Sequence, residues 1–439
     1  MNNKIYSTLL LAILFCFYGY SQNVLTKEEA FELALNNNLG IQIANNSSEI
    51  AENNAGILNS GYLPTLTGNG GTSFGIENST RELRSGDNQE VNAAESTQYN
   101  ASINLNYTLF DGLGRLYNYK ILKQQSDLSE LEVRETIETT ILQLFSVYYE
   151  VARLTENVEV LSEALQISKD RLVRAKYQNE YGQNTGLDIL NAEVDVNTDS
   201  ISLLNAGQLL NNTKRDLNLV MNRDLSTFFS VDTTVTFLPS LKMQSIVNDA
   251  HENNVVLLQA ERGLLINDYA IKAARSGYLP SIGLSGSYGW NKSDTPGGAF
   301  LVSNTANNLS AGLNLTWNLF DGGRTIVQIK NAKINYETQE LFKQQIEMQV
   351  ERDIRNAQET YKNALFILNA QEKNVITTQN NFQRTEERYR IGRATSLEFR
   401  QAQINLLNVV LAKNQAKYTA KLAELQVLQV SGQLLNTNF

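Results

Sequence analysis

The sequence contains two copies of one plan. Gly61-Tyr62-Leu63-Pro64 returns as Gly277-Tyr278-Leu279-Pro280, and Leu109-Phe110-Asp111-Gly112 returns as Leu319-Phe320-Asp321-Gly322. A looser echo sets Tyr181-Gly182 and Leu187-Asp188 against Ile391-Gly392 and Leu397-Glu398. The offset is 216 residues for the first pair and 210 for the others, so the segment between the first two markers differs by six residues. A period of this length means two copies of one structural unit. It divides the chain into a leader (1–22), a first repeat (23–230), a linker (231–241) and a second repeat (242–439). The expected order within each repeat is a helix, two strands and a long helical hairpin.

Only four prolines occur in 439 residues: Pro64, Pro239, Pro280 and Pro296. So few helix breakers in so long a chain predict long helices. Residues 115–181 contain neither glycine nor proline, and the same holds for 324–391. At ~1.5 Å per residue each stretch would reach roughly 100 Å as helix. Apolar positions inside them follow a four-three spacing: Ile137, Ile141, Leu144, Tyr148, Val151 and Val158, with Thr155 filling the gap, and then Val350, Ile354, Ala357, Tyr361, Ala364 and Leu368. That pattern reads as a coiled coil or helical array. Asp111 and Asp321 stand where N-caps of the long helices belong. Gly182 and Gly392 end the runs, after which helical periodicity resumes over about 187–219 and 397–428. A further helix is expected before each Gly-Tyr-Leu-Pro marker, over 27–60 and 242–276. The residue before a proline is pushed out of helical geometry, so Pro64 and Pro280 mark helix-to-strand transitions.

Residues 100–109 alternate without exception: Ala101, Ile103, Leu105, Tyr107 and Leu109 oppose Asn100, Ser102, Asn104, Asn106 and Thr108. In the second copy Leu309, Ala311, Leu313, Leu315, Trp317 and Leu319 oppose Ser310, Gly312, Asn314, Thr316 and Asn318. Ile282, Leu284, Tyr288 and Trp290 form a similar face after Pro280. Segments of about ten residues that alternate, with aromatics near their ends, mark transmembrane β-strands. A half-buried strand of a soluble sheet alternates too. Polar stretches, 76–98 and 291–308, are expected as loops between the strands. Trp290 and Trp317 read as interfacial anchors.

The N-terminus tips that choice toward the membrane. Lys4 followed by the nine apolar residues 9–17 reads as a secretory signal, with cleavage near Ser21 or Gln22. Nine residues are too few to span a bilayer as a helix. Cys16 is the single cysteine and lies within that leader, so the mature chain offers no disulfide or thiol chemistry. The net charge of -9, without a basic run, argues against nucleic acid as a partner. His251 is the only histidine, so metal-site and catalytic-triad readings lack partners, and no cofactor motif appears.

The expected fold class is therefore mainly α with membrane β. Each chain supplies four strands, which cannot close a barrel, and an open edge cannot face lipid. Copies must pool their strands. A dimer would give the smallest known barrel, and a trimer a twelve-stranded one with a wide lumen.

Together these features resemble the TolC family of outer-membrane efflux ducts, over essentially the whole mature chain. The order and spacing of the markers carry the resemblance; no one motif does. It implies a homotrimer with a twelve-stranded barrel in the outer membrane of a Gram-negative cell and a helical tunnel in the periplasm. It implies no catalysis and no cofactor. Its partners would be a periplasmic adaptor (membrane fusion) protein, an inner-membrane transporter and outer-membrane lipid. The duct would passively conduct exported substrates, in efflux or in type I secretion. The other reading is a trimeric envelope-spanning coiled-coil scaffold with a small barrel anchor. The family narrows its mouth with carboxylates six residues after the bend glycine in both repeats and nine after it in the second. Asp188 and Glu398 keep the first pattern; Gln401, with Asn191 as its counterpart, departs from the second. Threefold symmetry would turn each acid into a ring favouring cations; alternatively the acids simply start helices. Tyr181-Gly182-Gln183 and Ile391-Gly392-Arg393 match the family's adaptor-contacting bends. Arg390 and Arg393 are candidates to pair with Asp188 or Glu398 across a closed mouth.

Overall fold

In a computed structural model, residues 24–82, 84–183, 185–248, 250–294 and 302–437 are described. Residues 1–23, where the expected signal and Cys16 fall, and Phe439 lie outside them. The first repeat runs β1 (Val24–Leu25), α1 (Lys27–Asn37), α2 (Leu39–Asn54), a 3₁₀ turn, β2 (Thr65–Glu82), β3 (Asn88–Phe110), α3 (Gly114–Glu180) and α4 (Gly186–Val220). At the junction lies β4 (Ser230–Val231), followed by α5 (Ser240–Asn248), α6 (Ala250–Asn253), α7 (Val255–Arg275), a 3₁₀ turn, β5 (Ser281–Asp294), β6 (Ser303–Thr316), α8 (Arg324–Arg390) and α9 (Ser396–Val430). The short strands β1 and β4 pair in parallel.

The long helices have equal lengths in both copies: 67 residues for α3 and α8, 35 for α4 and α9. Their stops explain why. Gly182 and Gly392 adopt φ of +69° and +74°. Gly182 N–H donates to Asn179 O and Gln183 N–H to Gln178 O; Gly392 and Arg393 repeat this on Tyr389 and Arg388. This is the Schellman closure, which requires the left-handed conformation that glycine adopts without penalty. The second helices end the same way, at Asn222 (φ +50°) and Gly432 (φ +65°).

The sequence led to an expectation of one continuous helix before each marker, over 27–60 and 242–276, but both are broken. The first breaks at Asn38 and the second at Asn254. Asn38 Oδ1 accepts from the N–H groups of Gly40 and Ile41, and Asn254 Oδ1 from those of Val256 and Leu257. Each amide also donates, at 2.8 Å, to the last carbonyl of its repeat's hairpin: Val220 O and Val430 O. A side chain that starts one helix and satisfies the exposed end of another makes the break more favourable than continuing.

β2, β3, β5 and β6 form one antiparallel sheet in that order. The register places the apolar residues opposite one another. Leu66 meets Leu105, Ala101 meets Trp290, Ile103 meets Tyr288, Tyr107 meets Leu284, and β5 continues the row onto Leu309, Leu313 and Leu315. The other face pairs Asn104 with Ser287, Ser287 with Ser310 and Gly283 with Asn314. One face is thus apolar and the other polar across all four strands.

Three expectations change here. The stretch 76–98 is mostly strand, because ladder hydrogen bonds continue wherever the backbone stays extended, whatever the side chains. A bulge between Glu77 and Ser79 absorbs the irregularity, and Asn78 Oδ1 accepts from Ala93 N–H at 2.6 Å, Ala93 having φ of +52°. Likewise β5 and β6 run well into 291–308. At the other end the apolar alternation stops early. A shift between Thr108 and Phe110 leaves Leu109 out of the ladder, and Trp317 and Leu319 lie beyond β6, Trp317 Nε1 donating to Tyr278 O at 3.1 Å.

By packing, the chain forms two compact units, each drawing on both repeats. One takes in residues up to Asn46, Leu131–Leu258 and Gln345 onward; the other Ser47–Glu130 and Gln259–Gln344. The first unit has an aromatic core in which Phe145, Tyr148, Tyr149 and Tyr418 pack edge-on, tilted or stacked, 5.7–6.4 Å between ring centres. Burial pushes the Tyr148 hydroxyl up to about 12. The second unit contains the four-stranded sheet. In it Asp111 Oδ2 accepts from Arg115 N–H and Asp321 Oδ2 from Thr325 N–H. The helices begin at Gly114 and Arg324, so both aspartates act from outside the first turn.

Candidate functional site

Everything in this section lies in the first compact unit. The two helical bends present their apolar residues to solvent: Tyr181 is 77% exposed and Ile391 66%. Short polar connections lead from each bend into α4 and α9, whose N-caps are Thr185 and Thr395.

The carboxylates after the bends differ. Glu398 closes a capping box: Thr395 N–H donates to its Oε2 at 2.7 Å, and Glu398 N–H donates to Thr395 Oγ1 at 3.2 Å. These bonds, led by that from the Thr395 backbone, hold the Glu398 carboxyl below the ordinary glutamate range. Asp188 accepts from the Thr185 hydroxyl at 3.2 Å, and Thr185 makes no side-chain cap bond in return. Asp188, Asn191 and Gln401 line one groove of about 370 Å³, together with Arg171, Asp195 and Arg400. Glu398 is not part of that lining. Gln401 Nε2 donates to Asn405 Oδ1, one turn along α9. Arg390 pairs with Glu386 on its own helix at 2.8 Å, not with Asp188 or Glu398.

Behind this groove lies a buried charge network that the sequence reading missed. Arg400 of α9 forks onto Asp199 of α4, Nη1 to Oδ2 at 2.7 Å and Nη2 to Oδ1 at 2.8 Å. The two side chains are 10% and 7% exposed. Ser168 of α3 donates to Asp199 Oδ2 at 2.6 Å and accepts from Arg400 and Gln403. Gln403 also donates to Ala164 O. Arg171 of α3 pairs with Asp195 of α4, and burial, then the nearby Arg400 charge, pushes Arg171 below the ordinary arginine range. Arg400 Nε lies 3.3 Å from Asp195 Oδ1 but lacks hydrogen-bond geometry, so that contact is Coulombic only.

A second tie sits closer to the bend. Arg174 of α3 lies 4.9 Å over the Tyr389 ring and donates to Arg390 O at 2.7 Å, placing a cation on the carbonyl end of α8. Tyr389 stacks on Phe399 at 4.8 Å. Three of the four hairpin helices are thus joined through ion pairs, and the fourth through Arg174. The signal for the network is faint: Ser168 and Arg171 share a helix face with Ala164 and Ala175, at spacings of three and four.

The arrangement offers polar and charged surface for passage or docking, and nothing resembling a nucleophile with its base. Among the described residues no cluster of metal-ligating side chains occurs, and no helix is long and apolar enough to cross a membrane. His251 is exposed in α6 and contacts Glu351 at 3.1 Å.

Comparison with known proteins points one way. The family model "Outer membrane efflux protein" matches residues 30–223 and 246–433, one stretch in each repeat. The outer membrane efflux protein BepC of Brucella suis biovar 1 (strain 1330) is 23% identical over 406 residues, 91% of this chain and 84% of that protein. The outer membrane protein TolC of Salmonella enteritidis is 23% identical over 357 residues, covering 79% and 71%. Among solved structures the CmeC outer membrane channel of Campylobacter jejuni superposes with a TM-score of 0.76 at 19% identity, over 93% of this chain and 86% of that one.

Proposed function

This chain belongs to the outer membrane efflux protein family, and from that premise we propose that it is the outer-membrane duct of a multi-component export system. Three copies pool their sheets into a twelve-stranded barrel, and their helical hairpins form a tunnel that conducts substrates passively. An inner-membrane transporter delivers the cargo, and a periplasmic adaptor docks on the bends around Gly182 and Gly392. The chain itself catalyses nothing.

The observation that carries this reading is the sheet. Its apolar face is continuous in register across four strands, and β2 and β6 are each paired on one side only among the described residues. An unpaired edge in hydrocarbon costs several kcal/mol per orphaned group, so the edges need partners of the same kind. Cyclic copies supply them and leave the polar face inward around an axis.

Asp188, with Asn191 and Gln401 beside it, sits where three chains would bring acids and amides around one opening. Asp188 lines the groove and Glu398 does not, so Asp188 is the stronger candidate for a pore-facing charge. Single-channel conductance of the purified protein, beside Asp188→Asn and Glu398→Gln, tests the proposal. A small, cation-selective conductance altered by Asp188→Asn supports a gated duct. Silence from inserted, trimeric protein favours a coiled-coil scaffold with a plugged anchor.

A further inference from the structure

The second compact unit carries a basic collar immediately beside its sheet. Residues 112–126 contain Arg115, Lys120 and Lys123 and no acid; residues 322–336 contain Arg324, Lys330 and Lys333 and no acid. Lys120 and Lys330, like Lys123 and Lys333, are equivalent at the 210-residue offset. The chain as a whole has 46 acids to 37 bases, so this segregation runs against its composition.

The helix dipole does not call for it: Arg115 and Arg324 stand in the first turns of α3 and α8, where the macrodipole favours acids, and the four lysines lie one to two turns further in, beyond its reach. The same spacing of lysines in both repeats points to a role outside the helix. Arg115 is committed to Asp111 and Gly61 O. The lysines are not so held. Lys120 lies 5.7 Å over Tyr117 and 5.4 Å over Tyr269, and Lys123 lies 5.1 Å over Tyr119. Lys330 and Lys333 are exposed. Next to the collar, at the sheet end, Leu63, Leu113, Leu279, Trp317 and Phe320 are exposed as well. Apolar band, aromatic rim and flexible cations follow one another along the unit, which is the sequence of environments from hydrocarbon through headgroup to water.

We propose that this collar binds the phosphate headgroups of anionic phospholipids in the leaflet on the helical side of the membrane, anchoring the sheet at a fixed depth. The inference rests on the membrane placement of the sheet given above. Continuity with the apolar face argues for lipid, and the doubled lysine pairs give the charge complementarity.

The test uses the full-length protein in vesicles of phosphatidylcholine with and without phosphatidylglycerol. Lipids retained after extraction are counted by native mass spectrometry, for wild type and for Lys120→Gln/Lys123→Gln/Lys330→Gln/Lys333→Gln. Wild type should retain phosphatidylglycerol in preference. At about fivefold per lysine near an anionic surface, the quadruple variant should lose that preference by roughly tenfold or more. The corresponding arginine variant should keep it. Should the glutamine variant fail to assemble, salt gives the answer on wild type alone: the preference must fall steeply as ionic strength rises. An unchanged lipid ratio, a salt-independent one, or a shift in ion selectivity without any change in lipid would overturn the proposal. Conductance recorded from the same wild-type vesicles keeps the two readings apart, since a conducting protein without lipid preference removes the collar and leaves the duct.

Discussion

The helices α3 and α8 have the same length and the same place in their repeats, yet they meet different surroundings. Midway along, α3 buries Ile141, Leu144, Phe145, Tyr148 and Val151 completely, while α8 leaves Phe366 73% exposed and Ile376 63%. The shorter helices reverse the contrast. α9 buries Lys421 and Glu424, whose contact is 2.5 Å, and Glu424 also accepts from the Tyr361 hydroxyl and from Leu238 N–H. The equivalent positions of α4, Asn211 and Lys214, are not buried. Repetition fixes backbone length and where helices stop. It does not fix environment, because each copy packs against something its twin does not, and side chains have specialised accordingly.

The most damaging way to break that asymmetry is at the Arg400–Asp199 pair, whose repeat equivalents are Leu190 and Val409. Asp199→Ala leaves a buried arginine without its carboxylate and should cost about 3–5 kcal/mol, read as a lowered denaturation midpoint of the assembled protein. Leu190→Ala, at the exposed equivalent of Arg400, should change the same midpoint little. Replacing both members of the pair with leucine should recover most of the loss; if it does not, the network's value lies in more than avoiding an orphaned charge.

Next come the two helix stops. A Cβ on Gly432 would lie 2.1 Å from Asn253 O, at a φ of +65°. Gly432→Ala should therefore lose more than the ~1–2 kcal/mol of the left-handed conformation alone. Asn222→Gly gives up the bond from Asn222 Nδ2 to Asn37 O at 3.2 Å but relieves a side chain at φ +50°, so it should be nearly neutral. Equal effects would show that the two stops are not as differently packed as they look. Asn38→Ala and Asn254→Ala should each cost about 1–2 kcal/mol through loss of a cap, with Asn254 the costlier because it is the more buried. Thermal melts of the pair decide it.

The smallest effect is at the helix starts after the bends. Glu398, whose folded pKa is depressed by its cap, contributes stability present above the ordinary glutamate pKa and lost as pH falls through the folded value. Melting temperature should thus decline more in wild type than in Glu398→Gln when pH is taken below about 4.5.

Much of the backbone was legible beforehand because its determinants are local. Absence of glycine and proline exposes a long helix, and a glycine at its end signals the left-handed stop. The outer halves of the strands were not legible, since polar strand residues such as those of 76–98 lose the alternation while keeping the ladder. Asn38 and Asn254 were passed over because an asparagine in a polar stretch looks like helix surface; only their matched 216-residue spacing could have singled them out. The tip network was hidden for a related reason. Arg171 and Arg400 are indistinguishable in sequence from solvated arginines until the faces they share with Ala164 and Gln403 are known to be buried.

The open edges of the sheet bear on how the molecule comes into being. A chain whose first unit has its own core can reach that much of its structure alone, in water. On the proposed twelve-stranded closure the sheet has no such option: β2 and β6, each paired on one side only among the described residues, are finished by another chain. Closure would then be a collective event, with a rate that climbs with chain concentration. A cell making this protein slowly would, on that reading, hold unclosed subunits before complete ones.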